Sequence, residues 1–229
     1  MVAFTSNNLS TPTALKVGWK PLFPRKYLRH LSLINLAGAG ILGTKRKMVY
    51  CGNFWDIEVS NTLRSADVSR IGSIYSSTKN KFSLNKTPNF LEWKLLKSKT
   101  KYLYFYHHGE SKIDAYIIIN IQNHVHGIDY GEEDGSNGIE KLFHFILRHC
   151  RFGSISFLTA SIHEDLESLL RSKHFYALDW IEKRIRNRTY DLPILIRPIV
   201  ENHLEIDWFI NGVDLRDVKN WHITEICFD

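Results

Sequence analysis

A thirteen-residue block with one layout occurs twice in this chain, and this repeat limits the possible folds more than any other feature. The first copy is residues 7–19, NNLSTPTALKVGW, and the second is residues 163–175, HEDLESLLRSKHF, with an offset of 156 (163 minus 7). Each copy predicts a short helix followed by the start of a strand. Gly18 can take the left-handed conformation that closes a helix, and His174 stands at the same position in the second copy. The repeat indicates two related structural units.

About 100 residues in front of the second copy alternate between strand and helix patterns, whereas six residues precede the first copy. Period-two spacing predicts strands, and spacing of three and four predicts helices. The sequence thus predicts strands at 55–59, 102–106, 114–121, 124–130 and 154–159, and helices over 65–75, 89–96 and 139–150. Asn137 and Glu140 are spaced as a capping box for the last of these helices. After the second copy we expect a strand at 194–200 and a hairpin turn at Asn211–Gly212.

Two motifs carry a resemblance to a known family. Residues 7–19 resemble the N-x-x-S/A-x-x-x-Y-x-K-x-G-F/W block near the end of a GNAT acyl-CoA N-acyltransferase domain. Residues 88–93, PNFLEW, are similar to the P-x-F-L-x-W-R-Y signature of tandem bacterial members, and WHIT at 221–224 gives a weaker match to their W-x-I-T ending. The resemblance implies an α/β (α+β) GNAT-like fold, with a mixed, mostly antiparallel sheet flanked by helices.

The resemblance also implies a domain organisation. Residues 1–36 would be the C-terminal remnant of a first GNAT-like domain, 37–53 a linker and 54–229 a second GNAT-like domain. On this hypothesis the missing part of the first unit belongs to an upstream domain or a second chain, and Met1 need not be the true start.

A GNAT enzyme transfers an acyl group, here from acetyl-CoA or another acyl-CoA, to a small-molecule amine, which we expect to be an amino sugar or a cell-envelope precursor. In the family the asparagine end of the repeated block lies along the pantetheine arm, so Asn7 and Ser10 become candidate cofactor residues. Helix N-terminal N–H groups bind the pyrophosphate. This role falls on Gly135, Ser136, Asn137 and Gly138. The carboxylates preceding them are the candidate amine-recruiting or proton-accepting groups: Glu132, Glu133 and Asp134.

Several positions depart from the family pattern. Ala14 and Leu170 replace the tyrosine that acts as an acid, and His174 replaces the glycine. When Gly138 is aligned with the last glycine of the Q/R-x-x-G-x-G loop, Glu133 takes the Gln/Arg position and Ser136 the first glycine. Acidic side chains facing an anionic ligand are unfavourable. We therefore expect the second domain to bind coenzyme A poorly, and the alternative hypothesis is a non-catalytic GNAT-fold module for partner binding or dimerisation.

Charge is unevenly distributed along the chain. No Asp or Glu precedes Asp56, and eight Lys and Arg residues give that segment +8, which leaves 6 minus 8, or −2, for the rest. Such a segment could be a transit peptide or an arm that binds nucleic acid or acidic lipid. Pro21 and Pro24 disfavour the helix of a transit peptide. A strand and linker that face an acidic upstream part are the favoured interpretation, and nucleic acid is not an expected partner.

Other patterns argue mainly against particular sites. Cys51, Cys150 and Cys227 have no C-x-x-C spacing, which argues against a zinc knuckle or disulfide framework and favours a reducing, cytoplasmic setting. The longest apolar run, 31–43, is shorter than the ~20 residues of a membrane helix, so no membrane partner is expected. The G-x-G-x-x-G of 38–43 lacks a following acidic residue, and a linker is favoured over a phosphate loop. His124 and His126 form a pair without a third ligand, so we expect no metal.

Overall fold

The computed structural model describes residues 2–3, 10–24, 27–32, 51–76, 82–83, 85–96, 100–110, 112–121, 125–158, 164–177, 184, 193–197 and 208–227. Its helices are α1 (Ser10–Lys16), α2 (Ser65–Ser76), α3 (Pro88–Leu96), α4 (Gly138–His149) and α5 (Glu164–Ser172). Its strands are β1 (Val2–Ala3), β2 (Lys20–Pro24), β3 (Tyr27–Leu31), β4 (Gly52–Phe54), β5 (Ile57–Ser60), β6 (Phe82–Ser83), β7 (Tyr102–His108), β8 (Ile113–Asn120), β9 (His126–Glu132), β10 (Ser154–Leu158), β11 (Pro193–Ile196), β12 (Phe209–Ile210), β13 (Val213–Asp214) and β14 (Trp221–His222).

A seven-stranded sheet organises the chain, with the order β3-β10-β9-β8-β7-β5-β4. Every neighbouring pair in it is antiparallel except β9 and β10, which are parallel. A parallel pair needs a crossover connection, and α4 supplies it. The sheet is therefore mixed and mostly antiparallel, as the resemblance implied.

Hydrophobic clusters cover both faces of this sheet. On one face, Phe105, Ile117 and Phe157 pack with residues of α4 and α5, including Phe143 and Leu170. The other face contacts α2 and α3, and its cluster includes Tyr106, Tyr116, Ile118, Ile71 and Leu91. The alternation of inward residues along β7 and β8 explains how adjacent side chains reach opposite layers. No helix among the described residues has the length and apolar character needed to cross a membrane.

The basic N-terminal segment contributes strands to sheets built mainly from later residues. β3 pairs with the whole of β10, from Tyr27 opposite Leu158 to Leu31 opposite Ser154. β2 and β1 pair with opposite edges of β11 in a three-stranded sheet. The boundary expected after residue 36 stays a prediction, but residues before it complete the sheet of the 54–229 unit.

The two copies of the repeated block end in the same geometry. Gly18 and His174 both have positive φ, 93° and 63°. The amide of Trp19 donates to the carbonyl of Ala14 at 3.1 Å, and 156 residues later the amide of Phe175 donates to the carbonyl of Leu170 at 3.0 Å. This hydrogen bond and the left-handed residue together satisfy a helix end. The sequence repeat thus corresponds to a repeated structural junction.

Several further sequence predictions agree with the structure with small shifts. Thr87 Oγ1 caps α3 by accepting from the amide of Phe90 at 3.3 Å. Asn211 and Gly212 have φ of 51° and 76° and join β12 to β13, as the hairpin prediction requires. β9 begins two residues later and ends two residues later than predicted, and β11 is shorter than the predicted 194–200. The glycines of 38–43 and His124 lie outside the described residues.

Gly127 is required by the packing between β9 and β10. A Cβ built on Gly127 would lie 1.9 Å from the ring of Phe157. We expect Gly127→Ala to lower the free energy of unfolding by about 1–3 kcal/mol, because the ring is fixed in the core. In the control Gly72→Ala, on α2, the added Cβ meets its nearest atom at an ordinary 3.4 Å. Urea unfolding of both variants tests this, and an equal effect of the two substitutions would contradict it.

Candidate functional site

β9 and β10 are neighbouring parallel strands. Among the described residues their register pairs are Ser156 with His126 and Phe157 with Gly127. β9 continues to Glu132 beyond these pairs, and β10 is described as far as Leu158. In the family that the sequence resembles, acyl-CoA and amine meet between two parallel strands.

The C-terminal segment 221–227 contacts both β9 and β10. On β9, the ring of His222 lies 5.5 Å from that of Tyr130. On β10, Leu158 belongs to one buried cluster with Trp221 and Ile223. On β3, the hydroxyl of Tyr27 donates to Glu225 at 2.9 Å. Residues 221–227 thus contact three neighbouring strands of the sheet.

A buried ion pair holds this segment against β9. Lys86 Nζ donates to Asp129 Oδ1, and both side chains are fully buried. The hydroxyl of Thr224 donates to the same oxygen at 2.8 Å, and that of Tyr116 donates to Oδ2 at 3.2 Å. Hydrogen bonds of this kind offset the cost of burying two charges. Residues from three other parts of the sequence therefore depend on one carboxylate.

The N-terminus of α4 follows β9 and carries the predicted pyrophosphate residues. The amide of Ile139 donates to the carboxylate of Glu132 at 3.1 Å, and that of Gly138 donates to Ser136 Oγ at 3.1 Å. Side chains of the same chain thus occupy N–H groups that would otherwise face an anion. The coenzyme A pyrophosphate does not fit this site as it stands, since Glu132 places a negative charge there.

The predicted capping box is wrong. Asn137 is the N-cap residue of α4, but it has φ 51° and its side chain makes no cap hydrogen bond. A box requires extended backbone at this position, and the loop instead turns through left-handed Gly135 and Asn137. Glu132 and Ser136, which precede the helix, supply the cap. Glu132 lies at the end of a strand and caps the helix across a loop, and local sequence spacing does not reveal such a contact.

Gly138 is explained by packing. A Cβ added there would lie 2.4 Å from the Cβ of Ala115 and 3.1 Å from Nδ1 of His107. The first residue of α4 therefore sits directly on β8. The contact with β8 therefore explains the glycine at position 138 without a bound phosphate.

The three predicted carboxylates end up in different environments. Glu132 caps α4, while Glu133 forms ion pairs with Arg70 and with Lys112. The hydrogen bond from Arg70, followed by that from Lys112, lowers the pKa of Glu133 below its usual value of 4.5. A carboxylate with a lowered pKa is a weaker base. Asp134 is exposed in the loop.

The lowered pKa of Glu133 predicts a pH dependence of stability. Since the folded state favours the charged form, Glu133 stabilises the fold above pH 4.5, and this contribution is lost as the pH falls through the lowered value. We expect Glu133→Gln to reduce the melting temperature at neutral pH, with a smaller difference from wild type at about pH 3. Glu110→Gln, at an exposed turn, is the control. A difference that is constant with pH would contradict the prediction.

A histidine network, missed by the sequence analysis, lies beside the start of α4. Nδ1 of buried His107 is 2.5 Å from Asp114, and its Nε2 is 3.1 Å from Asp56 and 2.9 Å from Lys141. Partial burial raises the pKa of Asp56, but hydrogen bonds with its own backbone, His107 and Lys141 lower it overall. Spacings of 51 and 34 residues from His107 give no local motif. The network fastens the β4–β5 turn to α4.

The structure therefore brings Glu132, Glu133, Ser136 and Gly138 together at the end of β9. Ser10 is the first residue of α1, and Asn7 lies outside the described residues. In the described part of the chain, no group of three or more His, Cys, Asp and Glu side chains is placed to hold a metal ion.

Comparisons with known proteins add similarity at the level of solved structures. No protein-family model matches the sequence, and a search of curated proteins finds no match. The chain is similar to a functionally unknown conserved protein from Staphylococcus epidermidis, at 9% identity and a TM-score of 0.42 over 77% of this chain and 66% of that one.

Two further similar structures have names that mention acyl transfer. One is a GCN5-related N-acetyltransferase from Anabaena variabilis, at 11% identity and a TM-score of 0.45 over 71% of this chain and 39% of that one. The other is a conserved protein of unknown function from Enterococcus faecalis, described as a probable N-acyltransferase, at 12% identity and a TM-score of 0.45 over 72% of this chain and 39% of that one. This chain thus spans less than half the length of both. Likenesses of this size carry no conclusion about activity, and the strand order and connections themselves show an α+β fold with a mixed, mostly antiparallel sheet.

Proposed function

We propose that this chain is the C-terminal part of a GNAT-like N-acyltransferase built from two related units. The complete protein transfers an acyl group from acetyl-CoA or another acyl-CoA to a small-molecule amine, such as an amino sugar or an envelope precursor. The acyl-CoA lies in the first unit, which an upstream domain or a second chain completes. The 54–229 unit is its partner and holds no coenzyme A at α4.

The repeated helix–strand junction is the observation that carries this proposal. Two junctions with the same hydrogen bonds support two units of one fold. In the second copy, the outward positions are Arg171 and Lys173, whereas the equivalent residues of the first copy are Leu15 and Val17, which are 43% and 52% exposed. Apolar residues at these outward positions of α1 favour a further unit that packs there.

Amine acylation requires a positioned acyl donor and a base that accepts the ammonium proton. Glu132 is engaged as a helix cap and Glu133 as an ion-pair partner, which favours structural roles for both. This is why we assign the chemistry to the other unit.

The test is release of free CoA thiol from acetyl-CoA, measured with a panel of primary amines that includes amino sugars. We expect no release above the uncatalysed rate by the 229-residue chain alone, and turnover when the first unit is supplied by a longer product of the same gene or by a partner chain. Turnover by the chain alone would contradict the proposal.

A second candidate function is a non-catalytic module for partner binding or dimerisation. The capped N-terminus of α4 favours it. It predicts that no assembly containing this chain releases CoA, and the same assay therefore separates the two candidates.

A further inference from the structure

A groove runs along the solvent face of α4, from Glu140 in the first turn of the helix to His149. Its volume is about 340 Å³, which is within the range of small-molecule sites. Arg148, toward its far end, follows Ile139 by nine residues, or about 13 Å along the helix axis. Its walls combine one indole ring with several nitrogen-bearing side chains, Trp55, Lys141, His144, Arg148, His149 and Lys173, and with the carboxylates of Asp56 and Glu140.

Trp55 forms one wall in an unusual conformation. The residue is 97% exposed and has φ 55° in the turn between β4 and β5. A bulky side chain rarely adopts positive φ, and a fully exposed indole gains nothing from burial. Packing therefore does not account for tryptophan at this position. Asp56, the next residue, is held by His107 and Lys141, which fixes the turn that carries Trp55.

The cations of the groove are only partly neutralised. Lys141 lies 3.4 Å from Asp56, and Lys173 lies 3.5 Å from Glu140. Arg148 has no carboxylate partner among the described residues and is exposed. The ring of His149 stacks on that of Phe145, with centroids 4.8 Å apart, which orients it at the end of the groove. A guanidinium that lacks a partner, beside lysines, favours an anionic group such as phosphate.

We propose that this groove binds a nucleotide, whose base stacks on Trp55 and whose phosphates face Arg148 and the neighbouring lysines. An aromatic platform beside cations matches a planar base joined to phosphate. An acidic peptide would satisfy the cations but would not explain the exposed indole. This inference does not depend on the proposed acyl transfer.

The test is to titrate the full chain with ADP and to measure binding by tryptophan fluorescence and by calorimetry. We expect Trp55→Ala to weaken ADP binding about 5- to 100-fold, the range for loss of a base–aromatic stack, and Trp55→Phe to retain most of the affinity. Arg148→Ala is expected to weaken binding about 5-fold or more. Trp93→Ala, which removes another exposed tryptophan on α3, is the matched control and should leave binding unchanged.

Three further ligands test which part of the nucleotide is recognised and which larger compound could supply it. Adenosine and inorganic pyrophosphate should each bind more weakly than ADP, because each supplies half of the recognised group. Coenzyme A, which contains an ADP moiety, is expected to bind with the same dependence on Trp55. The proposal is overturned if ADP does not bind at millimolar concentration, if Trp55→Ala and Trp93→Ala have equal effects, or if a single-stranded oligonucleotide binds far more tightly than ADP with a steep salt dependence.

Discussion

Lys86→Met is expected to lower the free energy of unfolding by about 3–5 kcal/mol, because it leaves the fully buried carboxylate of Asp129 without its cation. Asp129 would retain the hydroxyls of Thr224 and Tyr116, which cannot balance a buried charge. Since Thr224 belongs to the segment 221–227 that packs on β9, we expect local loosening of this segment as well. Chemical unfolding followed by tryptophan fluorescence measures the global effect.

The matched control is Lys112→Met. Lys112 pairs with Glu133 at the surface, where its side chain is 62% exposed, and such pairs contribute about 0–1 kcal/mol. The double variant Lys86→Met with Asp129→Leu should recover part of the loss, because no unpaired charge remains. If Lys86→Met costs no more than Lys112→Met, the ion pair does not hold the segment.

Leu28→Ala is expected to destabilise the protein by about 2–5 kcal/mol, although the residue lies in the basic N-terminal segment. Leu28 is 2% exposed and packs in the cluster that includes Phe157 and Leu170. It stands on β3, opposite Phe157 of β10, so its removal leaves a cavity at the edge of the main sheet.

Leu31→Ala gives the control for this prediction. Leu31 lies on the same strand but is 44% exposed, and its truncation is expected to cost less than about 1 kcal/mol. Thermal unfolding of the two variants, at one pH and salt concentration, compares them directly. Equal effects would mean that β3 is not integral to the fold of the 54–229 unit.

Local patterns correctly predicted the helices and strands whose structure depends mainly on their own residues. The apolar spacing of Val68, Ile71 and Ile74 gave α2, and these residues are buried as that spacing requires. The repeat of residues 7–19 at 163–175 predicted a shared helix end, which the hydrogen bonds confirm. Period-two alternation gave β7 with its neighbour β8.

Long-range pairing was not predictable from these patterns. The pairing of β3 with β10 is one example, because nothing in YLRHL specifies β10 as its partner. The cap of α4 by Glu132 depends on a loop conformation that places a strand-end carboxylate over a helix. Lys86 and Asp129 are separated by 43 residues, and their pairing follows only from tertiary packing.

Coenzyme A is expected not to bind at the N-terminus of α4, where Glu132 and Ser136 accept from the amides of Ile139 and Gly138. Hydrogen exchange with and without millimolar acetyl-CoA tests this most directly, because it reports on each segment separately. We expect unchanged exchange at the amides of Gly138 and Ile139 and in peptides that cover 221–227, even if peptides around Trp55, Lys141 and Arg148 become protected. Protection of Gly138 and Ile139 by acetyl-CoA would contradict this expectation and would indicate that the 54–229 unit binds coenzyme A there.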